Sequence, residues 1–378
     1  MSMRAGILCI HPAPYRDATL RDLQASSSIE VDVHMLYDQD VGHLEWKLGA
    51  PPYKYYTVGK GIRLTRRDRL HLSVIKVLAN KRYDVIVVPG YSRATALAAL
   101  SYCWASNTPY VLALDTIESR RQIGCLGTLR RKLAATIIRR ASALWVPGVA
   151  ARRFAVANGY SNDRIFEGAY CFDVPATLRS FEISRARRTV WRESYAIPLD
   201  AFVFMHGGHM ESFRRVGDLC VALSSIVQKE KSAHLVLIGN GPLFEETRAF
   251  VQSRNMNMIH LCGALPFAEL FDAYAGCDAY VHAGCEAYST SMELAALGGL
   301  PIVSTNRVGY AIDVEARGGR IIMCAHGDSG ALARHMLTLL ADPASAALRG
   351  GSIRQVAVKR TSEWAAMQIT SALARANT

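Results

Sequence analysis

The 378-residue chain exceeds the usual size of one domain, so two domains of similar size are expected. Half of the residues are hydrophobic and 20% are charged, enough to bury two cores, and no apolar run reaches about 18 residues, which argues against a membrane-spanning helix. The formal net charge of +12 lies wholly in the first half: residues 1–190 carry 28 Lys and Arg against 15 Asp and Glu, and residues 191–378 carry 16 against 17. A one-sided basic face points to an anionic surface such as phospholipid headgroups or a lipid diphosphate. Nucleic acid is the competing partner, but no zinc finger or aromatic RNP motif supports it, and none is expected to bind. Nine scattered cysteines without a Cys-x-x-Cys pair read as reduced thiols in a cytosol, and no His/Cys cluster has metal-ligand spacing. The N-terminus lacks a signal-peptide layout.

Short apolar runs alternate with longer helical patterns, the mark of parallel α/β sheets. In the first half, strands are predicted at Ala5–Ile10, Val31–Leu36, Asp84–Pro89, Tyr110–Leu114 and Ala143–Val146. Helices are predicted near Asp17–Ala25, Leu70–Asn80, Arg93–Ala105 and Leu129–Arg140. Residues 44–69 interleave Trp46, Tyr53, Tyr55 and Tyr56 with Lys54, Lys60, Arg63, Arg66, Arg67 and Arg69. Rings beside cations suit a headgroup boundary or a stacked sugar; an ordinary basic loop is the plainer reading. The polar, Pro-bounded stretch 176–199 predicts a linker. Strands then resume at Phe202–His206, His234–Ile238, Met258–Leu261, Tyr280–His282, Pro301–Ser304 and Arg320–Met323. The expected architecture is two doubly wound, Rossmann-like domains, 1–175 and 200–352, facing across a cleft, with a C-terminal helix near 353–375 packing back on the first. Ligands then sit at the C-terminal ends of the strands.

The stretch Ala279–Thr305 is the most informative. An apolar strand (Tyr280, Val281) runs into a polar loop carrying Glu286; a short helix with Glu293 follows, Gly298-Gly299 stops it, and Pro301 opens another strand. One carboxylate thus stands at a strand's C-terminal end and a second on the first turns of the next helix. Ser289, Thr290 and Ser291 fall at the helix N-terminus, where backbone N–H groups and the dipole favour an anion. Such a site can hold a sugar, a diphosphate and a ribose, the parts of a nucleotide sugar. The Gly239-Asn240-Gly241-Pro242 run is a weak dinucleotide fingerprint: Phe244 stands where a third glycine belongs, and a tight turn is the plain reading.

Together these segments resemble a bacterial family 4 glycosyltransferase of GT-B fold. HPAPYRDATLRDL (His11 to Leu23) resembles the segment after the family's first strand, and Ala143 to Val174 resembles its passage into the linker. VFMHGGHMESFRRVGDL, LVLIGNGPLFEE, GALPFAELFDAYAGCDAYV and the Glu286 segment follow the family's order, so the likeness runs nearly end to end. It implies a retaining, metal-independent transfer of a hexose from a nucleoside diphosphate sugar to a hydroxyl of a glycan or lipid-linked acceptor, without a cofactor, in polysaccharide or glycoconjugate synthesis. Arg214 and the Ser289–Ser291 helix end are then expected at the diphosphate, Glu286 at the sugar and Glu293 at the ribose. Gly208, His209, Gly239 and Gly241 would line the same donor site.

The chain also departs from the pattern. His209 stands where the family carries Arg, and Arg214 where it carries Lys; the bland reading of Arg214-Arg215 is a solvated helical turn. Glu286 and Glu293 are separated by six residues rather than seven, so Leu294 takes the usual second-Glu place unless the extra residue beside Gly298-Gly299 restores Glu293. In the first domain Tyr15, Arg16, Asp115 and Arg120 are expected at the acceptor, with Glu118 in the same run; a solvated acidic loop is the alternative. Asp38-Gln39-Asp40 would suggest the metal site of the other glycosyltransferase fold but reads as a surface turn here. The expected location is cytoplasmic, peripheral on the inner face of the plasma membrane. A non-catalytic sugar-nucleotide scaffold and a nucleotide-sugar isomerising enzyme of the same fold are the rival readings.

Overall fold

A computed structural model describes residues 2–25, 29–36, 46–65, 68–116, 125–227 and 232–378, the side chains of 125–130 excepted. Two compact units emerge: Met1–Leu44 with Gly49–Asp173 and Arg360–Thr378, and Glu45–Leu48 with Val174–Lys359.

The first unit holds strands β1 (Met3–Cys9), β2 (Ile29–Met35), β3 (Tyr55–Thr57), β4 (Ile62–Arg63), β5 (Arg69–Leu70), β6 (Val85–Val88), β7 (Tyr110–Ala113), β8 (Ala143–Val146) and β9 (Ile165–Glu167). Seven of these form a parallel sheet in the order β3-β2-β1-β6-β7-β8-β9, while β4 and β5 pair antiparallel as a separate hairpin. Helices α1 (Pro14–Ala25), α2 (Ser73–Lys81), α3 (Ala94–Ala105), α4 (Cys125–Arg140) and α5 (Val149–Ala157) follow successive strands. β6 is Val-Ile-Val-Val and wholly buried, as expected where helices cover both faces of a parallel sheet. The helix predicted from Leu70 begins only at Ser73, because Arg69 and Leu70 are drawn into the hairpin.

The C-terminal region contains two helices where one was expected. α14 (Pro343–Ala357) belongs to the second unit and α15 (Ser362–Ala376) to the first. Thr361 caps α15, its hydroxyl accepting the Trp364 N–H at 3.2 Å. The helix buries Ala366, Ile369, Ala372 and Leu373 in one cluster with Ile7, Leu20, Leu23, Val33 and Trp145. Large aliphatic side chains buried this way contribute roughly 1.5–3 kcal/mol each. Arg360 anchors the approach: its Nη2 donates to the Pro147 and Tyr170 carbonyls at 2.6 and 3.3 Å, and its guanidinium lies 5.2 Å from the Trp364 ring.

The second unit opens with helices, correcting the expected linker at 176–199. α6 (Val174–Arg185) and α7 (Arg188–Ser194) belong to this unit. The spacing of buried Val174, Thr177, Phe181 and Ser184 is helical, but polar neighbours obscure it in the sequence. Strands β10 (Phe202–Gly207), β11 (Ala233–Ile238), β12 (Ile259–Gly263), β13 (Ala279–His282), β14 (Ile302–Thr305) and β15 (Ile322–Cys324) form a six-stranded parallel sheet, ordered β12-β11-β10-β13-β14-β15. Helices α8 (Val216–Val227), α9 (Phe244–Ser253), α10 (Phe267–Gly276), α11 (Thr290–Gly298), α12 (Gly309–Ala316) and α13 (Ser329–Ala341) complete the alternation. The order reverses between β10 and β13, so the loops after these strands diverge there and leave room for a ligand.

Arg192 on α7 is only 1% exposed. Its Nε donates to the Gly276 carbonyl at 2.8 Å, its Nη1 to the Leu199 and Ala201 carbonyls at 2.9 and 2.8 Å, and its Nη2 to Asp278 at 2.7 Å. Removing one member of such a buried, fully bonded group leaves the others unpaired. Arg192→Ala is expected to cost about 3–5 kcal/mol, read as a fall in the urea midpoint; an unchanged midpoint would show that α7 is not held through this side chain.

Candidate functional site

The C-terminal ends of β10, β11 and β13 carry most of the expected donor residues. Ser289 caps α11, its hydroxyl accepting the Met292 N–H at 3.3 Å, so the half-buried Thr290 and Ser291 open the first turn of a helix N-terminus. Three residues before that cap, the Glu286 carboxylate is 8% exposed and held from two sides. Its Oε2 lies 2.8 Å from Arg214 Nη2, and its Oε1 lies 2.8 Å from His282 Nε2.

His282 is fully buried, and the Gly284 N–H donates to its Nδ1 at 3.1 Å. That nitrogen must therefore be bare, which leaves the proton on Nε2 to be donated to Glu286. Burial raises the Glu286 pKa, but the Arg214 guanidinium, the His282 N–H and the Ser289 hydroxyl outweigh it and hold the carboxyl at about 2.

Adjacent arginines are divided by one backbone turn. Arg214 ends a short 3₁₀ turn and reaches inward to Glu286. Arg215 takes a left-handed conformation (φ 51°) and pairs with Asp218 at 2.6 Å. Arg214 is thus a half-buried, paired cation rather than part of a solvated turn. Gly208 makes room for it: a Cβ there would lie 1.8 Å from Arg214 Nη1, and its φ of +136° also favours glycine. The Gly239–Gly241 turn packs backbone to backbone on this loop, the Met210 N–H donating to the Asn240 carbonyl at 2.8 Å. A Cβ on Gly239 would lie 2.2 Å from the Gly208 carbonyl oxygen.

The remaining expected donor residues have distinct surroundings. The Ser291 hydroxyl donates to the Gly207 carbonyl at 2.6 Å and accepts from Tyr280 at 2.6 Å, tying α11 to the end of β10. His209 is 55% exposed and sits 3.5 Å from Glu211. Glu293 is buried on the first turns of α11, as is Leu294 beside it.

Two histidines were not anticipated. His282 gave a signal only through its position four residues before Glu286. His206, buried on β10, packs its ring 4.9 Å from that of His282. Its Nδ1 donates to the Val281 carbonyl at 2.9 Å. Burial, then His282 and Arg214, push its pKa down to about 3, so it stays neutral.

In the first unit, the loops after β1, β7 and β9 bring Tyr15, Arg16 and Asp115 into one group. Tyr170, also unanticipated, joins them: its hydroxyl donates to Asp115 at 2.8 Å and its ring meets Tyr15 edge-on at 5.3 Å. Arg16 Nη2 donates to the His11 carbonyl at 3.1 Å. Arg120 and Glu118 lie outside the described residues, as do Arg66, Arg67 and Asp38-Gln39-Asp40.

The expected aromatic residues are half-buried, with Lys54 5.4 Å and Lys81 4.8 Å from the Tyr56 ring. Tyr53 donates to Asp17 at 2.7 Å, Tyr56 stacks on His34 at 5.5 Å, and Trp46 lies in the second unit beside Phe267. Aliphatic residues point outward in their place: Ile62, Leu64 and Leu72 are 62%, 52% and 55% exposed. Ile62 pairs with Leu70 across the β4–β5 hairpin, Leu64 follows β4, and Leu72 caps α2 just beyond β5. Among the described residues, no helix is long and apolar enough to cross a membrane, and no group of three His, Cys, Asp or Glu could hold a metal ion.

Residues 201–342 match the family model "Glycosyl transferases group 1". No curated protein matches the chain in sequence. Among solved structures, Anabaena HepE in complex with UDP is 18% identical with a TM-score of 0.71, over 99% of this chain and 100% of that one. Sucrose-phosphate synthase from Thermosynechococcus elongatus is 14% identical with a TM-score of 0.73, over 97% of each chain. UDP-GlcNAc 2-epimerase from Neisseria meningitidis is 13% identical with a TM-score of 0.64, over 98% of this chain and 100% of that one. The protein has the GT-B fold, and its match to the group 1 model lies within the second unit.

The Glu286 pair has a pH signature. The folded pKa of about 2 lies below the ordinary value of 4.5, so the stabilisation is fully present above about pH 4.5 and is lost as pH falls through about 2. The difference corresponds to on the order of 3 kcal/mol. In urea unfolding, Glu286→Gln is expected to be less stable than the parent at about pH 7, with the gap narrowing steadily below about pH 4.5. A gap independent of pH would rule out the depressed carboxyl.

Proposed function

We propose that the protein is a retaining, metal-independent glycosyltransferase that moves a hexose from a nucleoside diphosphate sugar to a hydroxyl of a glycan or lipid-linked acceptor. The observation that carries this reading is the half-buried Arg214–Glu286 pair beside the capped N-terminus of α11. A permanent cation and a helix N-terminus converge there on the place a diphosphate would take. The group 1 match over residues 201–342 supports it, and HepE has been solved with UDP-glucose, which favours a UDP-sugar as donor.

In this mechanism Arg214 and the Thr290–Ser291 turn stabilise charge on the departing diphosphate, where preorganised donors act most strongly. Glu286, kept ionised by Arg214 and His282, orients the sugar hydroxyls, and Glu293 holds the ribose. The Gly208, His209, Gly239 and Gly241 loops line the nucleotide. Asp115, Tyr15, Arg16 and Arg120 receive the acceptor, whose hydroxyl attacks on the face from which the diphosphate leaves, so no enzyme nucleophile is required. A nucleotide-sugar isomerising enzyme is the second reading, favoured by the epimerase fold likeness; product analysis without acceptor separates the two. A non-catalytic scaffold would show no slow donor hydrolysis.

Charge-assisted hydrogen bonds contribute about 1.5–3 kcal/mol, so Arg214→Ala is expected to lower kcat/KM roughly ten- to 150-fold. Glu286→Gln is expected to cut turnover while UDP binding stays nearly intact. Unchanged kinetics in a folded Arg214→Ala variant would reject the assignment.

We further propose attachment to an anionic cytoplasmic leaflet. The reading is supported by the outward aliphatic residues at the β4–β5 hairpin, bordered by exposed Lys60, Arg63 and Lys76. Each cation near such a surface contributes about 1 kcal/mol. Reversing all three to Glu is therefore expected to weaken binding to phosphatidylserine vesicles by about 100-fold or more, with steep salt dependence. Equal sedimentation with neutral and anionic vesicles would refute it.

A further inference from the structure

Arg16 stands on the first turn of α1, just beyond the C-terminal end of β1. Its Nη2 donates to the His11 carbonyl at 3.1 Å, and its guanidinium lies 5.9 Å from the Tyr15 ring. Its Nε is buried without a hydrogen-bond partner. Among the described residues, no carboxylate forms an ion pair with it. The acids close by are engaged elsewhere: Asp17 accepts from the Ala13 N–H and the Tyr53 hydroxyl, and Asp115 accepts from Tyr170.

A guanidinium cannot shed its proton, and this partly buried one is met, among the described residues, only by the His11 carbonyl, the Tyr15 ring and the more distant charge of Asp17. The position makes matters worse, because the N-terminus of α1 is itself the positive end of a helix dipole. Arg214 and Arg360 also have an unpartnered Nε, but their terminal nitrogens, like those of Arg192, reach a carboxylate or two or more carbonyls. Arg16 lies among loops at the C-terminal edge of the first sheet, beside the Tyr15 and Tyr170 hydroxyls, in the half of the chain that carries the whole basic excess.

We propose that Arg16 is the receptor for a phosphoryl group, so that the ligand of the first unit carries a phosphate or diphosphate ester beside Tyr15 and Tyr170. The planar guanidinium fork matches phosphate oxygens, and the positive field of this half of the chain favours a multiply charged anion over a single carboxylate. That this ligand is the acceptor rests on the transferase reading; the anion site itself does not. The ester has two possible sources, a phosphorylated sugar or a lipid diphosphate.

The test follows the melting temperature of the full chain, preloaded with saturating UDP, as inorganic pyrophosphate, glucose 1-phosphate or farnesyl diphosphate is added. Pyrophosphate and one ester are expected to raise it in the parent and in Arg214→Met, to fail in Arg16→Met and Arg16→Gln, and to act partially in Arg16→Lys. Without any anion, Arg16→Met is expected to melt at or above the parent temperature, since a cation with few partners has been removed; a merely structural arginine would lower it. A stronger response to glucose 1-phosphate assigns a sugar phosphate, and a stronger one to farnesyl diphosphate assigns the lipid. An undiminished response in Arg16→Met, or one lost only in Arg214→Met, overturns the proposal. Failure of UDP itself to stabilise the parent counts against the transferase reading alone, and the two arginine variants are then compared without preloading.

Discussion

A carboxylate kept ionised in the protein interior organises the end of the second sheet. Burial alone would penalise the Glu286 charge by several kcal/mol, and neither Arg214 nor His282 singly supplies every bond its two oxygens need. Together they do, one at each oxygen. This requirement spreads through the backbone. Gly284 must present its N–H to His282 so that the ring's proton faces Glu286, and Gly208 must lack a side chain so that Arg214 can lie flat across the loop. Ser289 both caps α11 and bonds the carboxylate, linking the helix end to the ion pair.

Arginine is the recurring structural device of this chain, satisfied in different ways. Arg192 spreads its donors over four carbonyls and Asp278, and so fastens α7 to the second unit. Arg360 holds the entry to α15 by donating to two carbonyls and lying over Trp364. Arg214 uses a carboxylate. Arg16 has a single carbonyl and the Tyr15 ring, the fewest partners of the four. The physics is common to all four: the charge is permanent, so the surroundings must provide oxygen atoms or bear the penalty.

The alternation of short apolar runs with longer amphipathic patterns was sufficient to predict two parallel sheets, because strand and helix periodicities are local properties. Most strand centres fall where those runs lie, including Val85–Val88 and Ala233–Ile238. The carboxylate before a helix N-terminus was equally visible, since Glu286 and Ser289 are three residues apart. Segments in which tertiary contacts override composition were misread. The stretch at 176–199 looks like a linker because it is polar, yet Arg192 is drawn into the interior by oxygens from residues near 200 and 276–278. Tyr53 and Tyr56 read as open rings beside lysines, yet Tyr53 also bonds Asp17 and Tyr56 also stacks on His34.

The sequence by itself therefore determined the sheet class, the order of elements and which carboxylate and which basic pair belong to the candidate site. Only the tertiary structure decided that Arg214 rather than Arg215 faces Glu286, since that choice rests on one left-handed residue and on Asp218 nearby. It alone brought His206 and His282 together across 76 residues of chain, from neighbouring strands, and turned the hairpin aliphatics outward. The reason is that a pairing between distant strands leaves no local period to read. Its energy depends on burial, and burial is a property of the folded whole.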